Sequence, residues 1–292
     1  MGEVLKPYGS LDLLNYYSKI APYLGKFLKG KEIATKTNIP PGFFLKRGSN
    51  LPALRINDLK IVNEKMLKLR ARNSLKDVKS QLNGKQALAW EYFVPRKLIQ
   101  MFYATNGEHP GKDIERIFID IDKTGDVKAE IAQEVCRGLV KIIGGDKEFN
   151  KLVKFKVFVM WTGNSFHIYL LLKKKVSKNF YDKYLAYHKD NPMSSFIGRW
   201  ASDVRTKTGI MVEGGHEKIM SRIVIDSSGT PSGKLARAPF SVHVDDKKLK
   251  VDGVAVPIGE KELEDRKLVS KLRKLSPEKV LKDLKKYSKL LR

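Results

Sequence analysis

The segment that most constrains the fold is RIFIDID, residues 116–122, in which isoleucine alternates with other residues. A period of two places its three isoleucines on one face of a β-strand, and Asp120 and Asp122 on the other. The two aspartate Cα atoms then lie about 7 Å apart, a spacing that suits oxygen ligands sharing one or two Mg²⁺ or Mn²⁺ ions. An isolated Asp-x-Asp also fits a strand that ends in two solvated aspartates, so both interpretations stay open at this point.

The same residues also match the start of an EF-hand calcium loop. Asp120, Asp122, Thr124 and Gly125 fall at loop positions 1, 3, 5 and 6. The final loop position, which needs a bidentate glutamate, is Ile131, and the preceding residues carry glycine and proline instead of a helical pattern. The strand interpretation is therefore favoured.

Apolar strands and amphipathic helices alternate along the rest of the chain, which predicts an α+β or mixed α/β fold. Residues 155–172, FKVFVMWTGNSFHIYLLL, indicate two strands joined by a turn at Thr162-Gly163-Asn164. Residues 127–145 have helical periodicity, and Asp126 is predicted to cap the start of that helix. No domain boundary is visible. We expect one catalytic domain over residues 1–260, with residues 261–292 as its basic helical extension.

The charge balance indicates a polyanionic partner. Lys and Arg number 57 against 32 Asp and Glu, a net charge of +25, and neutralising phosphates releases counterions. The alternative is a lysine-rich, heat-adapted protein, but paired surface ions would not leave so large an imbalance. The single cysteine, Cys136, excludes a cysteine-based zinc site and favours a cytosolic protein. No apolar run reaches the length of a membrane span.

Further polar residues accompany the apolar strands. Asp226 ends the strand SRIVID, and Ser165 and His167 share one face of SFHIYLLL. Lys234, Arg237 and His243 follow Asp226, and the last two share a face if their strand is regular, although Pro239 interrupts it. Carboxylates for metals, with cationic side chains for phosphate oxygens, are the groups that phosphoryl or nucleotidyl transfer needs.

The order of these motifs resembles the archaeo-eukaryotic primase superfamily. FIDID, SFH and IVID occur in the order Asp-x-Asp strand, Ser-x-His strand and strand-end Asp, and LARAPFSVH resembles the Arg-x-Pro-x-Ser-x-His ending of replicative primase catalytic subunits. The N-terminal half, with GFFLK at residues 42–46 and His109-Pro110, is more similar to the polymerase domain of bacterial ligase D and to stand-alone archaeal end-joining polymerases. The resemblance covers roughly residues 8 to 260.

The resemblance implies a primase-polymerase catalytic fold, with a central and mostly antiparallel sheet flanked by helices. It implies that Asp120, Asp122 and Asp226 ligate two divalent ions, Mn²⁺ or Mg²⁺. Replicative primase catalytic subunits commonly carry a zinc motif, but the single cysteine excludes its usual form, so no zinc is expected. The residues it places around the nucleotide are Lys46, His109, Thr162, Ser165, His167, Lys234, Arg237 and His243. Phe43 or Phe44 would stack near template bases, although core packing is the commoner role of such residues.

The chain also departs from the end-joining family. The turn before His167 is short, Ser241-Val242-His243 replaces the usual Ser-x-Arg, and the expected 5′-phosphate site reads Ser10-Leu11. Lys19, Lys26 or Lys29 would have to contact a DNA end instead. Recognition of end phosphates is therefore in question.

These observations predict a metal-dependent nucleotidyltransferase that adds (d)NTPs to a 3′-hydroxyl and is most like an end-joining repair polymerase. The expected partners are DNA and (d)NTP, with a DNA ligase and Ku as further candidates, in the cytoplasm with the nucleoid. One alternative is a replicative or plasmid-type primase catalytic subunit. An alternative of another class is a non-catalytic nucleic-acid-binding protein.

Overall fold

The computed structural model describes residues 12–39, 42–69, 75–95, 97–124, 126–217, 220–245 and 247–291 of the 292-residue chain. By compactness the chain divides into two units. The first unit comprises Met1–Tyr103, Arg237–Val254 and Leu275–Arg292, and the second comprises Ala104–Ala236 and Ala255–Lys274. The expected division into 1–260 and 261–292 stays a prediction.

The helices and strands follow one another along the described chain. The first elements are α1 (Leu13–Leu24), β1 (Glu32–Ile39), β2 (Gly42–Lys46), β3 (Leu54–Arg55), α2 (Glu64–Leu69), α3 (Leu75–Ser80), α4 (Gly84–Tyr92) and β4 (Ile99–Ala104). The middle elements are β5 (Ile114–Lys123), α5 (Ala129–Gly145), α6 (Lys147–Leu152), β6 (Phe155–Trp161), β7 (Phe166–Val176), α7 (Phe196–Thr208), β8 (Val212–Gly214), β9 (Ile223–Asp226) and β10 (Leu235–Arg237). The last elements are β11 (Val242–Asp245), β12 (Lys250–Val254), β13 (Val256–Ile258), α8 (Leu268–Leu272), α9 (Pro277–Lys282) and α10 (Leu284–Ser288).

In the first unit, β1 pairs antiparallel with β2, β3 and β4. Helix α1 begins after Asp12, whose carboxylate accepts a hydrogen bond from Asn15 N, as an N-cap residue does. Its apolar side, from Leu13 to Leu24, is buried. Two buried tyrosines of α1 donate hydrogen bonds through their hydroxyls, Tyr16 to Phe240 O in the segment between β10 and β11 and Tyr17 to Ile99 O of β4.

The second unit is built on a six-stranded sheet in the order β13-β6-β7-β5-β9-β8. Its strand pairs are antiparallel except β8 with β9, which is parallel. Helices α5 and α7 pack against this sheet and against each other. The apolar stripe of α5 is buried there, which includes Cys136.

The structure confirms several sequence predictions. RIFIDID is part of a strand, β5, and not an EF-hand loop. The hairpin at Thr162-Gly163-Asn164 is present between β6 and β7, and Gly163 has φ +104°, which favours glycine. Within the described residues, none of the helices combines the length and the apolar character that crossing a bilayer requires.

Two local predictions were wrong. Asp126 does not cap α5: the N-cap position is Lys128, and the Asp126 carboxylate instead accepts a hydrogen bond from Ser221 Oγ. Gly125, which matched an EF-hand loop position, lies outside the described residues. Arg237 and His243 do not share one regular strand, because residues 238–241 separate β10 from β11 and Phe240 there has φ +64°.

Candidate functional site

The site is organised around Asp120, at the centre of the second unit's sheet. In the antiparallel register, Asp120 lies directly opposite His167 of β7 on one side and Asp226 of β9 on the other. Directly opposed residues project from the same face of a sheet. Three residues that are far apart in sequence therefore form one row across three adjacent strands.

His167 is held in contact with Asp120. Its Nε2 atom lies 3.2 Å from Asp120 Oδ1, and the imidazole is buried while the carboxylate is about one-quarter exposed. The ring of Phe118 packs against the imidazole edge-to-face, with 4.8 Å between centroids. The Tyr169 hydroxyl lies 3.5 Å from the other ring nitrogen of His167, Nδ1. These contacts fix the ring so that Nε2 points to the Asp120 carboxylate.

Asp226 is positioned by the turn that follows β9. Its Oδ1 accepts a hydrogen bond of 2.7 Å from Ser228 N, and its Oδ2 accepts one of 2.9 Å from Ser228 Oγ. Burial raises the pKa of Asp226, and the charge of Asp120 raises it further, while the Ser228 hydrogen bonds act in the opposite direction. Two carboxylates are thus held together at a cost in electrostatic energy, which is common at functional sites.

A loop that sequence reasoning did not single out fixes this turn to β5. The Thr230 hydroxyl accepts a hydrogen bond from Phe118 N and donates one to Phe118 O, so that the loop extends the sheet beyond Asp226. A Cβ atom at Gly229 would lie 2.4 Å from Phe118 Cδ1, so only glycine allows this approach. The buried Asn106 side chain donates to Thr230 O and to Arg116 O.

Two further residues near Asp226 were not predicted from the sequence. The charge of Asp226 contributes to the raised pKa of Tyr181, after the larger effect of burial, so the two side chains lie close together. His216, two residues after the end of β8, acts in the opposite direction and lowers the pKa of Asp226. Tyr181 lies 45 residues before Asp226 and His216 ten residues before it, and no local pattern distinguishes either residue.

The three predicted metal ligands lie on one face of the sheet, since Asp122 is two residues from Asp120 on β5. Carboxylate oxygens are the donors that Mg²⁺ and Mn²⁺ take, so the donor set fits such an ion in kind. In the part of the chain that the structure describes, no three acidic, histidine or cysteine side chains converge closely enough to hold a metal. Asp120 faces His167 and Asp226 faces Ser228, so metal binding would require these carboxylates to turn toward each other.

Thr162 and Ser165 close the hairpin beside the site. Thr162 Oγ1 accepts a hydrogen bond from Ser165 N, and Ser165 Oγ donates to Ile121 O, the backbone between the two aspartates of β5. Ser165 precedes β7 and does not lie within the strand. The structure therefore gives both hydroxyls a positioning role, and contact with a nucleotide stays a prediction for them.

His109 and Lys234 are exposed residues of two loops that are bonded to each other. The backbone bonds are Gly233 N to Gly107 O at 2.7 Å and Thr105 N to Lys234 O at 3.1 Å. The loop that carries Lys234 is the one that follows Asp226 and Thr230. Their predicted contact with the nucleotide stays a prediction.

The remaining cationic candidates lie in the first unit, where each has a protein partner. Lys46 Nζ donates to Glu91 O and lies 3.5 Å from Glu91 Oε2. Arg237 Nη1 donates to Gln100 Oε1 at 2.6 Å and to Val242 O at 3.1 Å. His243 Nδ1 lies 2.5 Å from an Asp252 carboxylate oxygen. The structure leaves the predicted phosphate contacts of these three side chains as predictions.

The predicted nucleic-acid contacts also lie in the first unit and are exposed. Phe43 and Phe44 of β2 are 58% and 62% exposed, so core packing, the commoner role of such residues, is wrong for both. Lys36 Nζ lies 4.6 Å from the centroid of the Phe43 ring. The other candidates are exposed lysines on α1 and in the turn that follows it, Lys19, Lys26 and Lys29.

No protein-family model matches the chain, and no curated protein matches it in sequence. Among solved structures it is similar to the polymerase domain of ligase D from Mycobacterium tuberculosis, determined in complex with DNA. The superposition has a TM-score of 0.58 and 18% sequence identity, and covers 95% of this chain and 88% of that chain. The two chains share a fold. The predicted fold class, an α+β primase-polymerase fold with a mostly antiparallel sheet, is thereby confirmed.

Proposed function

We propose that this protein is a metal-dependent nucleotidyltransferase of the primase-polymerase superfamily. The observation that carries the proposal is the row His167–Asp120–Asp226 across three adjacent strands. It lies in a chain that shares the fold of a polymerase domain. The proposed substrates are a (d)NTP and the 3′-hydroxyl of a nucleic acid, and the net charge of +25 favours such polyanions.

The side chains of the row and the neighbouring Asp122 have separable tasks in this proposal. Asp120, Asp122 and Asp226 would hold one or two Mg²⁺ or Mn²⁺ ions, which when bound supply activation of the hydroxyl and charge stabilisation of the leaving pyrophosphate. His167 holds a proton at Nε2 that it donates to Asp120 or to a phosphate oxygen of the nucleotide. Phe118 and Tyr169 keep the imidazole oriented, so less rotamer freedom is lost when substrate binds.

The test is extension of a primed template with Mn²⁺ and nucleotides. Asp120→Asn with Asp122→Asn is expected to abolish extension, whereas the exposed Asp190→Asn leaves it unchanged. Circular dichroism and the melting temperature establish that both variants are folded, so a loss of extension confined to the double variant would locate the chemistry at β5. Extension that survives the double substitution would contradict the site, and a wild-type protein that binds DNA without extending it would favour a non-catalytic binder.

Within this activity, we propose that the physiological reaction is gap filling in end-joining repair. The support is the resemblance of GFFLK and His109-Pro110 to that family, together with the exposure of Phe43 and Phe44. Gap filling should then be faster when the downstream strand carries a 5′-phosphate. Equal rates with and without the phosphate would contradict the repair role, and synthesis on an unprimed single strand would favour the primase alternative.

A further inference from the structure

Lysines from two chain segments surround a surface cavity of about 280 Å³ in the second unit. They are Lys151, Lys154, Lys173 and Lys174, which we name the lysine cluster, and all four are exposed. A backbone hydrogen bond of 2.8 Å from Lys173 N to Lys154 O joins the two segments. The spacing of the cluster is therefore set by the sheet, at the pairing of β6 with β7.

The charge around the cluster is strongly one-sided. Residues 147–156 and 173–178 together contain eight lysines and one acidic residue, Glu148. Glu148 is already bonded to Arg199, with 2.6 Å between Oε2 and Nη1. Glu115, near the start of the adjacent strand β5, lies 3.5 Å from Lys175 Nζ. Glu148 and Glu115 are thus each engaged by a cation outside the cluster, and the cluster faces solvent as a concentrated positive charge.

The lining of the cavity indicates what kind of anion fits. Between the lysines it is apolar and small, with Leu152, which is 40% exposed, and Val153 and Val176. Among the described residues that line it, none carries an aromatic ring on which a base would stack. Ammonium groups bind phosphate as point charges. Such a surface fits a sugar–phosphate backbone without reading its sequence.

The cluster lies at the far end of β7 from the carboxylates. Lys174 follows His167 by seven residues on this strand, which at about 3.3 Å per residue corresponds to at most roughly 23 Å, because the register with β5 shifts within this stretch. A nucleic-acid strand advances about 3.4 Å per nucleotide, so roughly seven nucleotides would bridge that distance. The cluster is therefore distinct from the His167–Asp120–Asp226 row but within reach of the same nucleic acid.

We propose that the lysine cluster is a second, sequence-independent binding surface for the sugar–phosphate backbone of a nucleic acid. The identity of the ligand rests on the proposed function, which supplies a nucleic acid as substrate. The cluster adds affinity through released counterions and takes no part in the chemistry.

The experiment compares two variants of the full chain that lose the same charge. In the first, Lys151, Lys154, Lys173 and Lys174 are each changed to Gln. In the matched control, four exposed and scattered lysines are changed in the same way, Lys60, Lys65, Lys85 and Lys261. Circular dichroism and the melting temperature establish that both are folded. Binding of a fluorescent duplex of about 30 base pairs is then measured by anisotropy between about 50 and 200 mM salt.

The cluster variant is expected to bind more weakly and with a shallower salt dependence. The slope of log K against log salt should fall by up to about 3.6, since each lost phosphate contact removes ~0.9. The control should change it by less than about 1. Equal slopes in the two folded variants would overturn the proposal. So would a cluster variant that loses binding to phosphatidylserine vesicles but keeps the wild-type DNA slope, because the surface would then recognise lipid headgroups.

Failure of this inference and failure of the proposed function give different results. Asp120→Asn with Asp122→Asn should keep the wild-type salt slope and lose nucleotide transfer. If the wild-type protein transfers no nucleotide while the cluster still sets the slope, only the proposed function fails. If transfer is present and the cluster variant behaves like its control, only the lysine cluster fails.

Discussion

Asp226 occupies a position that disfavours its charged form. Burial and the neighbouring Asp120 both raise its pKa, and the two hydrogen bonds from Ser228 offset this only in part. A protein that needed only a stable turn at this point would be served better by a neutral side chain. The unfavourable charge is therefore an argument that these carboxylates are retained for a ligand.

We predict that Asp226→Asn separates stability from activity. The amide keeps the shape and can still bond Ser228, but it removes the repulsion with Asp120. In the presence of a chelator at pH 7, the free energy of unfolding should rise by roughly 0.5–2 kcal/mol. Primer extension should fall more than about 100-fold, because even outer-shell partners of a metal contribute about 10–100-fold.

The stability difference also has a predicted pH dependence. A raised pKa means that the folded protein takes up a proton more readily than the unfolded chain, so the wild type gains stability as the pH falls. The advantage of Asp226→Asn should thus be complete above the raised pKa of Asp226 and disappear as the pH falls toward about 3.9, the ordinary value. Denaturation at a series of pH values measures it, and a variant that is less stable than the wild type at pH 7 would contradict the argument.

The element that fixes the site is the loop after β9. Thr230 satisfies both backbone groups of Phe118, and Asn106 bonds the same loop to the start of the β5 pairing. These bonds hold β9 beside β5, which places Asp226 opposite Asp120. The loop is buried at Thr230, so its hydrogen bonds have no competing water.

We predict that Thr230→Val destabilises the protein although it preserves side-chain shape. The amide and the carbonyl of Phe118 would both remain buried without a partner. Each unpaired group costs about 1–3 kcal/mol of the free energy of unfolding. Urea denaturation measures the change. The matched control is Thr206→Val on the exposed face of α7, which should stay within about 0.5 kcal/mol of the wild type. Equal stability of the two variants would show that the loop is not held by this hydroxyl.

Across the chain as a whole, the positive charge is not spread evenly. In the second unit, the His167–Asp120–Asp226 row crosses one end of β7, and the lysine cluster lies at the other end. The cations of the first unit that the sequence indicated, Lys46, Arg237 and His243, are each bonded to protein groups. For the proposed nucleic-acid substrate, the net charge of +25 is therefore available mainly through exposed lysines.

We predict that Mn²⁺ stabilises the whole protein through the three aspartates. A ligand that binds only the folded state adds about 2.7 kcal/mol at 100 times its dissociation constant. The melting temperature of the wild type should rise with Mn²⁺, and that of a variant with Asn at positions 120, 122 and 226 should not. The Asp190→Asn protein should respond like the wild type. Identical shifts in all three proteins would contradict a metal site at these carboxylates.

The sequence by itself determined the local structure around the site. The period-two alternation of RIFIDID and the Thr162-Gly163-Asn164 turn are set by residues close together in the chain, and both predictions were confirmed. The residue types were also visible, since carboxylates on apolar strands and an excess of lysine do not depend on the fold. The fold class followed from the order of the elements and is confirmed by the shared fold.

Only the tertiary structure decided which of those residues meet. The register between strands depends on contacts between segments more than 40 residues apart, so the pairing of Asp120 with both His167 and Asp226 could not be read from local pattern. The same reason explains why Ser165 bonds Ile121 O, why Lys46 bonds Glu91, and why Thr230 and Asn106 were missed. A hydrogen bond selects whichever donor and acceptor the packed core brings together, and that selection belongs to the whole fold.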